Sequence, residues 1–134
     1  MPVEQPDPPP PRVLVVDDAA DARDSLRLLF EMWGLEVRDA ANGEAALAVA
    51  RAFRPDIAVL DIRLPGMDGF ELARRLRQLP GLESVALVAI TGHHVETDGA
   101  DATSAGFQRL LVKPYDPREL ESLVGSWRAT RGNP

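Results

Sequence analysis

Four short stretches of the chain are apolar without interruption: Val13–Val16, Ile57–Leu60, Val85–Ile90 and Leu110–Val112. A continuous run, unlike an alternating one, reads as a strand buried on both faces. Each run stops at polar residues: Asp17-Asp18, Asp61, Thr91-Gly92 and Lys113. Glu36–Ala40 reads as a further short strand, followed by an Asn42-Gly43 turn. Between the strands the apolar period changes from continuous to helical. Leu26, Leu29, Phe30 and Trp33 fall at i, i+3, i+4 and i+7, which predicts a helix from about Ala20 to Trp33, ended by Gly34. Ala46, Val49, Ala50 and Phe53 predict a second, about Glu44 to Phe53, stopped by Pro55. Asp68 caps a third that begins near Gly69, turns Leu72, Leu76 and Leu79 inward, and is broken by Pro80-Gly81. A weak helix is expected near Gly99–Ala105. The last, about Pro117 to Thr130 with Asp116 as N-cap, places Leu120, Leu123, Val124 and Trp127 inward.

Strands and helices therefore alternate five times with short connections. Such alternation implies right-handed βαβ crossovers and a parallel sheet covered on both faces. The expected architecture is α/β: a doubly wound, five-stranded parallel sheet of order 2-1-3-4-5 in a flavodoxin-like three-layer sandwich. Residues 1–11, with six prolines, cannot build a packed element and read as an extended leader or linker. Residues 12–130 form the domain and 131–134 a tail.

Composition narrows the function classes. At 134 residues one domain can bury a core without staples. Without cysteine there are neither disulfides nor thiolate metal ligands. No apolar run approaches the roughly 18 residues of a membrane span, and a proline-rich, acidic start is no secretory signal. The cytoplasm is the expected location. A net charge of -6 argues against nucleic acid as a direct partner.

In a parallel sheet the polar run-ends share one edge. Strands 1 and 3 are neighbours in the expected order, so Asp17, Asp18 and Asp61 converge where the chain reverses direction across the sheet. Three crowded carboxylates repel one another, and a divalent cation relieves this. Oxygen ligands without histidine or cysteine suit a hard ion, Mg²⁺ (or Mn²⁺). Lys113 and Thr91 lie beside it. Ammonium, hydroxyl and Mg²⁺ together are what a transferred phosphoryl group needs. Asp61, leaving the central strand directly, is the best nucleophile.

Asp17-Asp18, Asp61-x-x-x-Pro65-Gly66-Met67-Asp68-Gly69, Thr91-Gly92 and Lys113-Pro114, in this order after strands 1, 3, 4 and 5, resemble the receiver domain of two-component response regulators. The resemblance spans about residues 12–130. It implies that Asp61 accepts a phosphoryl group from a histidine kinase or a histidine phosphotransfer protein. It implies that Asp18 and Asp61 bind Mg²⁺, Asp17 mainly through water, with the backbone carbonyl of Arg63 completing the set. Thr91 then hydrogen-bonds the phosphoryl group and moves toward it, and Lys113 pairs with another phosphoryl oxygen. A cis bond between Lys113 and Pro114 is implied, aiming the lysine. The face formed by the last two helices and strand 5 is the expected switch surface, and homodimerisation through it is possible.

Two positions depart from the family's commonest pattern. Leu110 stands where an aromatic switch residue is usual. His93, with Arg63, flanks the expected route of the hydrolytic water and is expected to tune the lifetime of the phosphorylated state. The wording around Asp61 and Ala105–Pro114 is similar to receivers at the carboxyl ends of hybrid sensor kinases, while the initial methionine fits a free-standing regulator equally. No output domain is expected after residue 130 in either case.

Other readings stand beside these. A flavodoxin-like or dehalogenase-type enzyme is disfavoured, because no phosphate-cradling loop and no Asp-x-Asp follow strand 1. Self-phosphorylation and self-hydrolysis end in a conformational change, so the chain is not expected to be an enzyme in the ordinary sense. A receiver retained as a phosphorylation-independent docking module is the alternative, and Leu110 favours it mildly. His93-His94 is not expected to bind metal. Trp33 and Trp127 are expected to serve packing, and Arg74, Arg75 and Arg77 to form a solvated helix face.

Overall fold

A computed structural model describes residues 10–92 and 106–132. The leader before Pro10, the helix expected near Gly99–Ala105 and the His93-His94 pair lie outside the described residues. The elements run β1 (Arg12–Val16), α1 (Ala20–Met32), β2 (Glu36–Ala40), α2 (Gly43–Phe53), β3 (Ile57–Asp61), α3 (Gly69–Gln78), β4 (Ala86–Thr91), β5 (Arg109–Val112) and α4 (Pro117–Gly132). All pairs are parallel, and the sheet order is β2-β1-β3-β4-β5. The doubly wound sandwich expected from the alternation of patterns is the fold observed.

Strand geometry explains why the apolar runs are uninterrupted. Successive side chains point to opposite faces, so a strand covered on both sides needs an apolar residue at every position. Val13, Val15, Ile57, Val59, Val88 and Ile90 face α1 and α4, where Leu26, Phe30, Leu120 and Val124 are buried. Leu14, Val16, Ala58, Leu60, Leu87 and Ala89 face α2 and α3, where Ala46, Leu47, Ala50, Leu72, Ala73 and Leu76 are buried. Leu47 belongs to this core although the sequence pattern did not single it out; Val49 and Phe53, expected inward, are only half-buried. Trp33 packs edge-on against Phe30 at 5.7 Å between ring centroids. Together with Trp127 it lines the flank of the core as expected.

The caps follow the local sequence. Asn42 accepts from the Ala45 N–H, Asp68 from the Glu71 N–H, and Asp116 from the Arg118 N–H. Helix α2 ends at Arg54, whose φ of 53° is left-handed, before Pro55 can disrupt it. Helix α4 runs two residues past its expected end at Thr130.

Arg77 corrects the expected solvated face of α3. Arg74 and Arg75 are exposed, and Arg75 pairs with Glu71 one turn earlier at 3.0 Å. Arg77 instead turns inward. Its Nη1 donates to the Glu83 carbonyl at 2.7 Å and its Nη2 to the Gly106 carbonyl at 2.9 Å. Gly106 has a φ of 90°, and a Cβ there would lie 2.7 Å from the Arg77 Nε. The pair joins the end of α3 to the lead-in of β5. Phe70, at the start of α3, meets Phe107 edge-on at 5.9 Å and makes a second link. Sequence spacing missed both because the partners are far apart in the chain. We expect Arg77→Ala to cost about 1.5–3 kcal/mol, the range for hydrogen bonds to a charged group. The urea midpoint read by circular dichroism measures it, with Arg74→Ala staying within roughly 0.5 kcal/mol as the exposed control.

Candidate functional site

Parallel register sets the carboxyl ends of the central strands side by side. Val16 pairs with Leu60, Asp61 with Ile90, and Thr91 with Val112. Asp17 follows β1 at once, Asp61 closes β3, Thr91 closes β4, and Lys113 follows β5. The structure thus gathers Asp17, Asp18, Asp61, Thr91 and Lys113 on one edge. Each of Asp17, Asp18 and Asp61 offers a carboxylate oxygen, and the three oxygens lie within 4.8 Å of one another.

Asp17 is almost wholly buried and every polar atom of it is engaged. Its N–H donates to the Ala40 carbonyl, and its own carbonyl accepts from Arg23. One carboxylate oxygen accepts from the Ala19 N–H at 2.9 Å. The other meets the Lys113 Nζ at 3.4 Å. Asp18 is exposed. Asp61 is partly buried at the strand end and accepts the Arg63 N–H at 2.9 Å, which folds the loop back over the carboxylate. Helix α3 starts hard against this strand end. A Cβ on Gly69 would lie 2.7 Å from the Asp61 carbonyl oxygen, so glycine is the residue that lets the helix begin there.

Lys113 is anchored from behind by its N–H, which donates to the Thr91 carbonyl at 2.8 Å. The bond from Lys113 to Pro114 is cis. Thr91 is fully buried. Leu110 is half-buried and packs on the α2–α3 side of the sheet, opposite Ala89 in register. Arg63 is exposed, and His93 lies outside the described residues.

The charge balance of the edge is uneven. Burial holds the Asp61 carboxyl above its usual pKa, and the charges of Asp17 and Asp18 push the same way. The Arg63 N–H and the Lys113 ammonium oppose them without prevailing. Tyr115 is raised as well, by burial and then by the charge of Asp17. The donor set is oxygen only, converging and short of positive charge, which fits a hard divalent cation.

Sequence reasoning did not single out Arg23 or Asp39, whose side chains stand behind this edge, nor Met67, which packs over Gly43 at the start of α2. Ordinary residue types on separate elements carry no local signal of such contacts.

The chain is similar to known proteins over most of its length. A family model described as the response regulator receiver domain matches residues 13–125. An uncharacterised 14.6 kDa protein in the sodA1 3′ region of Leptolyngbya boryana is 43% identical over 112 residues, 84% of this chain and 86% of that protein. The cyclic di-GMP phosphodiesterase response regulator RpfG of Xanthomonas campestris is 41% identical over 112 residues; the match spans 82% of this chain and 30% of that longer protein. Among solved structures, the receiver domain of a sensor histidine kinase of Pseudomonas aeruginosa superposes with a TM-score of 0.78 at 26% identity, covering 88% of this chain and 97% of that one; it has a magnesium ion coordinated in its active site cleft. On its fold, its family match and its relatives, the chain belongs to the response regulator receiver domains of two-component systems.

Proposed function

We propose that the chain is a phosphoacceptor in a two-component phosphorelay, with Asp61 as the accepting residue. The observation that carries this is the triad of carboxylate oxygens within 4.8 Å beside Lys113 and Thr91. Asp17, Asp18, Asp61 and the backbone carbonyl of Arg63 would hold Mg²⁺ (or Mn²⁺), whose charge, when bound, offsets that of the phosphoryl oxygens. The donor is a phosphohistidine on a histidine kinase or histidine phosphotransfer protein. An Asp61 carboxylate oxygen attacks phosphorus, the new O–P bond forms as the P–N bond breaks, and the departing nitrogen takes that bond's electron pair, so the imidazole leaves neutral with the proton its other ring nitrogen already carried. The Arg63 N–H occupies one Asp61 oxygen and leaves the other for attack. Lys113 releases Asp17 and neutralises a phosphoryl oxygen. Thr91 supplies a hydroxyl to another. The product is a shifted conformational equilibrium on the face that includes β5 and α4, with Leu110 moving in place of an aromatic ring.

Intact mass after incubation with acetyl phosphate and Mg²⁺ tests this directly. We expect one labile phosphoryl group, absent from Asp61→Asn and absent without Mg²⁺. No gain in a folded, Mg²⁺-binding protein, also after exposure to a phosphohistidine donor, turns the assignment toward a docking module. Exposed Arg63 stands two residues after the acceptor. Its exchange for alanine is expected to change the half-life of the phosphorylated form several-fold and its rate of formation less, both followed by the same mass measurement.

The raised Asp61 pKa also sets a pH dependence. The folded state holds the proton more tightly than the unfolded chain, whose carboxyl titrates near 3.8. Stability is therefore lost as pH rises from that value through the folded-state pKa, and the loss persists at neutrality. In Mg²⁺-free buffer at pH 7, Asp61→Asn is expected to melt a few degrees above the parent chain. That gap narrows as the pH is lowered toward 3.8, and it narrows when Mg²⁺ stabilises the parent chain by mass action. Differential scanning calorimetry across pH and Mg²⁺ reads both, and an equal or lower melting temperature for Asp61→Asn contradicts the charge balance described above.

A further inference from the structure

The loop that presents the acids is braced from the side away from the cluster. Arg23, in the first turn of α1, donates its Nη1 to the Asp17 carbonyl at 2.8 Å and its Nε to an Asp39 carboxylate oxygen at 3.2 Å. Arg27, one turn on, reaches the other oxygen of Asp39 at 3.3 Å. Arg23 and Asp39 are mostly buried, with side chains 20% and 26% exposed, while Arg27 is 39% exposed. A guanidinium suits the position because its planar fork serves two acceptors in fixed directions, which an ammonium on a flexible stem does not.

The brace acts on the peptide rather than on the Asp17 carboxylate. That carboxylate is already held by the Ala19 N–H and Lys113. The Asp17 N–H is held by Ala40 in β2. With its carbonyl held by Arg23, the planar Asp17–Asp18 peptide has one orientation, and this sets the Asp18 Cα and the direction in which its carboxylate leaves the chain. Asp18 is the exposed member of the triad. Charge is handled at the same time. A lone guanidinium behind an acid cluster would repel a divalent cation, and the Asp39 carboxylate, shared with Arg27, offsets part of that charge.

We propose that Arg23, anchored by Asp39, is a positioning residue for a divalent-cation site at Asp17, Asp18 and Asp61. The inference rests on the reading of the acid cluster as a Mg²⁺ site. Isothermal titration of the full chain with MgCl₂ tests it, comparing the parent with Arg23→Met, Arg23→Lys and Arg27→Met. Removing the support behind a ligand typically weakens metal binding by about 10–100-fold, and we expect about tenfold for Arg23→Met. Arg23→Lys keeps the charge but not the fork and is expected to lose about threefold or more. Arg27→Met shares the Asp39 anchor without touching Asp17 and is expected to stay within about twofold. In acetyl phosphate reactions, Arg23→Met should need more Mg²⁺ for half-maximal rate while approaching the parent's rate at saturation. Should Arg23→Met fail to fold by circular dichroism, Arg23→Lys carries the comparison. A folded Arg23 variant that binds Mg²⁺ like the parent overturns the positioning role alone. A parent chain that takes up no Mg²⁺ overturns the cation site and the positioning role with it.

Discussion

Parallel pairing of β1 with β3, and of β3 with β4, is the constraint from which the rest of the molecule follows. It puts every strand's carboxyl end on the same edge, so the chain cannot bury its apolar runs without also crowding the acids that terminate them. The apolar runs supply the stability that tolerates this crowding. Val13, Leu14, Val15, Ala58 and Leu60 lie between two helical layers with essentially no exposed surface. At about 25 cal/mol per Å² of apolar surface removed from water, such strands dominate the favourable side of folding. A strand end held by that core cannot move away from its neighbour to relieve repulsion.

The polar contacts at the edge are arranged to restrain the acids rather than to neutralise them. Asp17 is held at its N–H, its carbonyl and both carboxylate oxygens, whereas Asp61 receives one backbone N–H and a distant ammonium. Lys113 leans toward Asp17, so the net charge around Asp61 stays negative. The carboxylates are thus held in positions settled during folding.

Helix α3 ties this edge to the far side of the domain. It begins in contact with the Asp61 backbone, where only glycine fits at position 69. Phe70 then packs on Phe107, and Arg77 holds the carbonyls of Glu83 and Gly106. The short stretch before β5 is thereby attached to the same helix that starts at the end of β3. Leu110, one position into β5, sits against the same core cluster.

Much of this was legible in the residues themselves. Uninterrupted apolar runs identified strands buried on both faces, helical spacing identified the amphipathic elements between them, and their alternation led to a parallel sheet of order 2-1-3-4-5. The polar residue at each run's end then had to lie on one edge, which named Asp17, Asp18, Asp61, Thr91 and Lys113 as a group. These features are legible because they depend on local periodicity, and period-2 and period-3.6 burial is imposed by backbone geometry alone. Other features were decided only by the tertiary structure. Arg23, Arg27 and Arg77 look like any surface arginine of an amphipathic helix, and Asp39 like any polar residue of an edge strand. What each does depends on which carbonyl or carboxylate the packing of distant segments brings within about 3 Å. Sequence determined which groups line the edge; tertiary packing decided which of them are held, and by what, because a hydrogen bond requires atomic distances that no local pattern encodes.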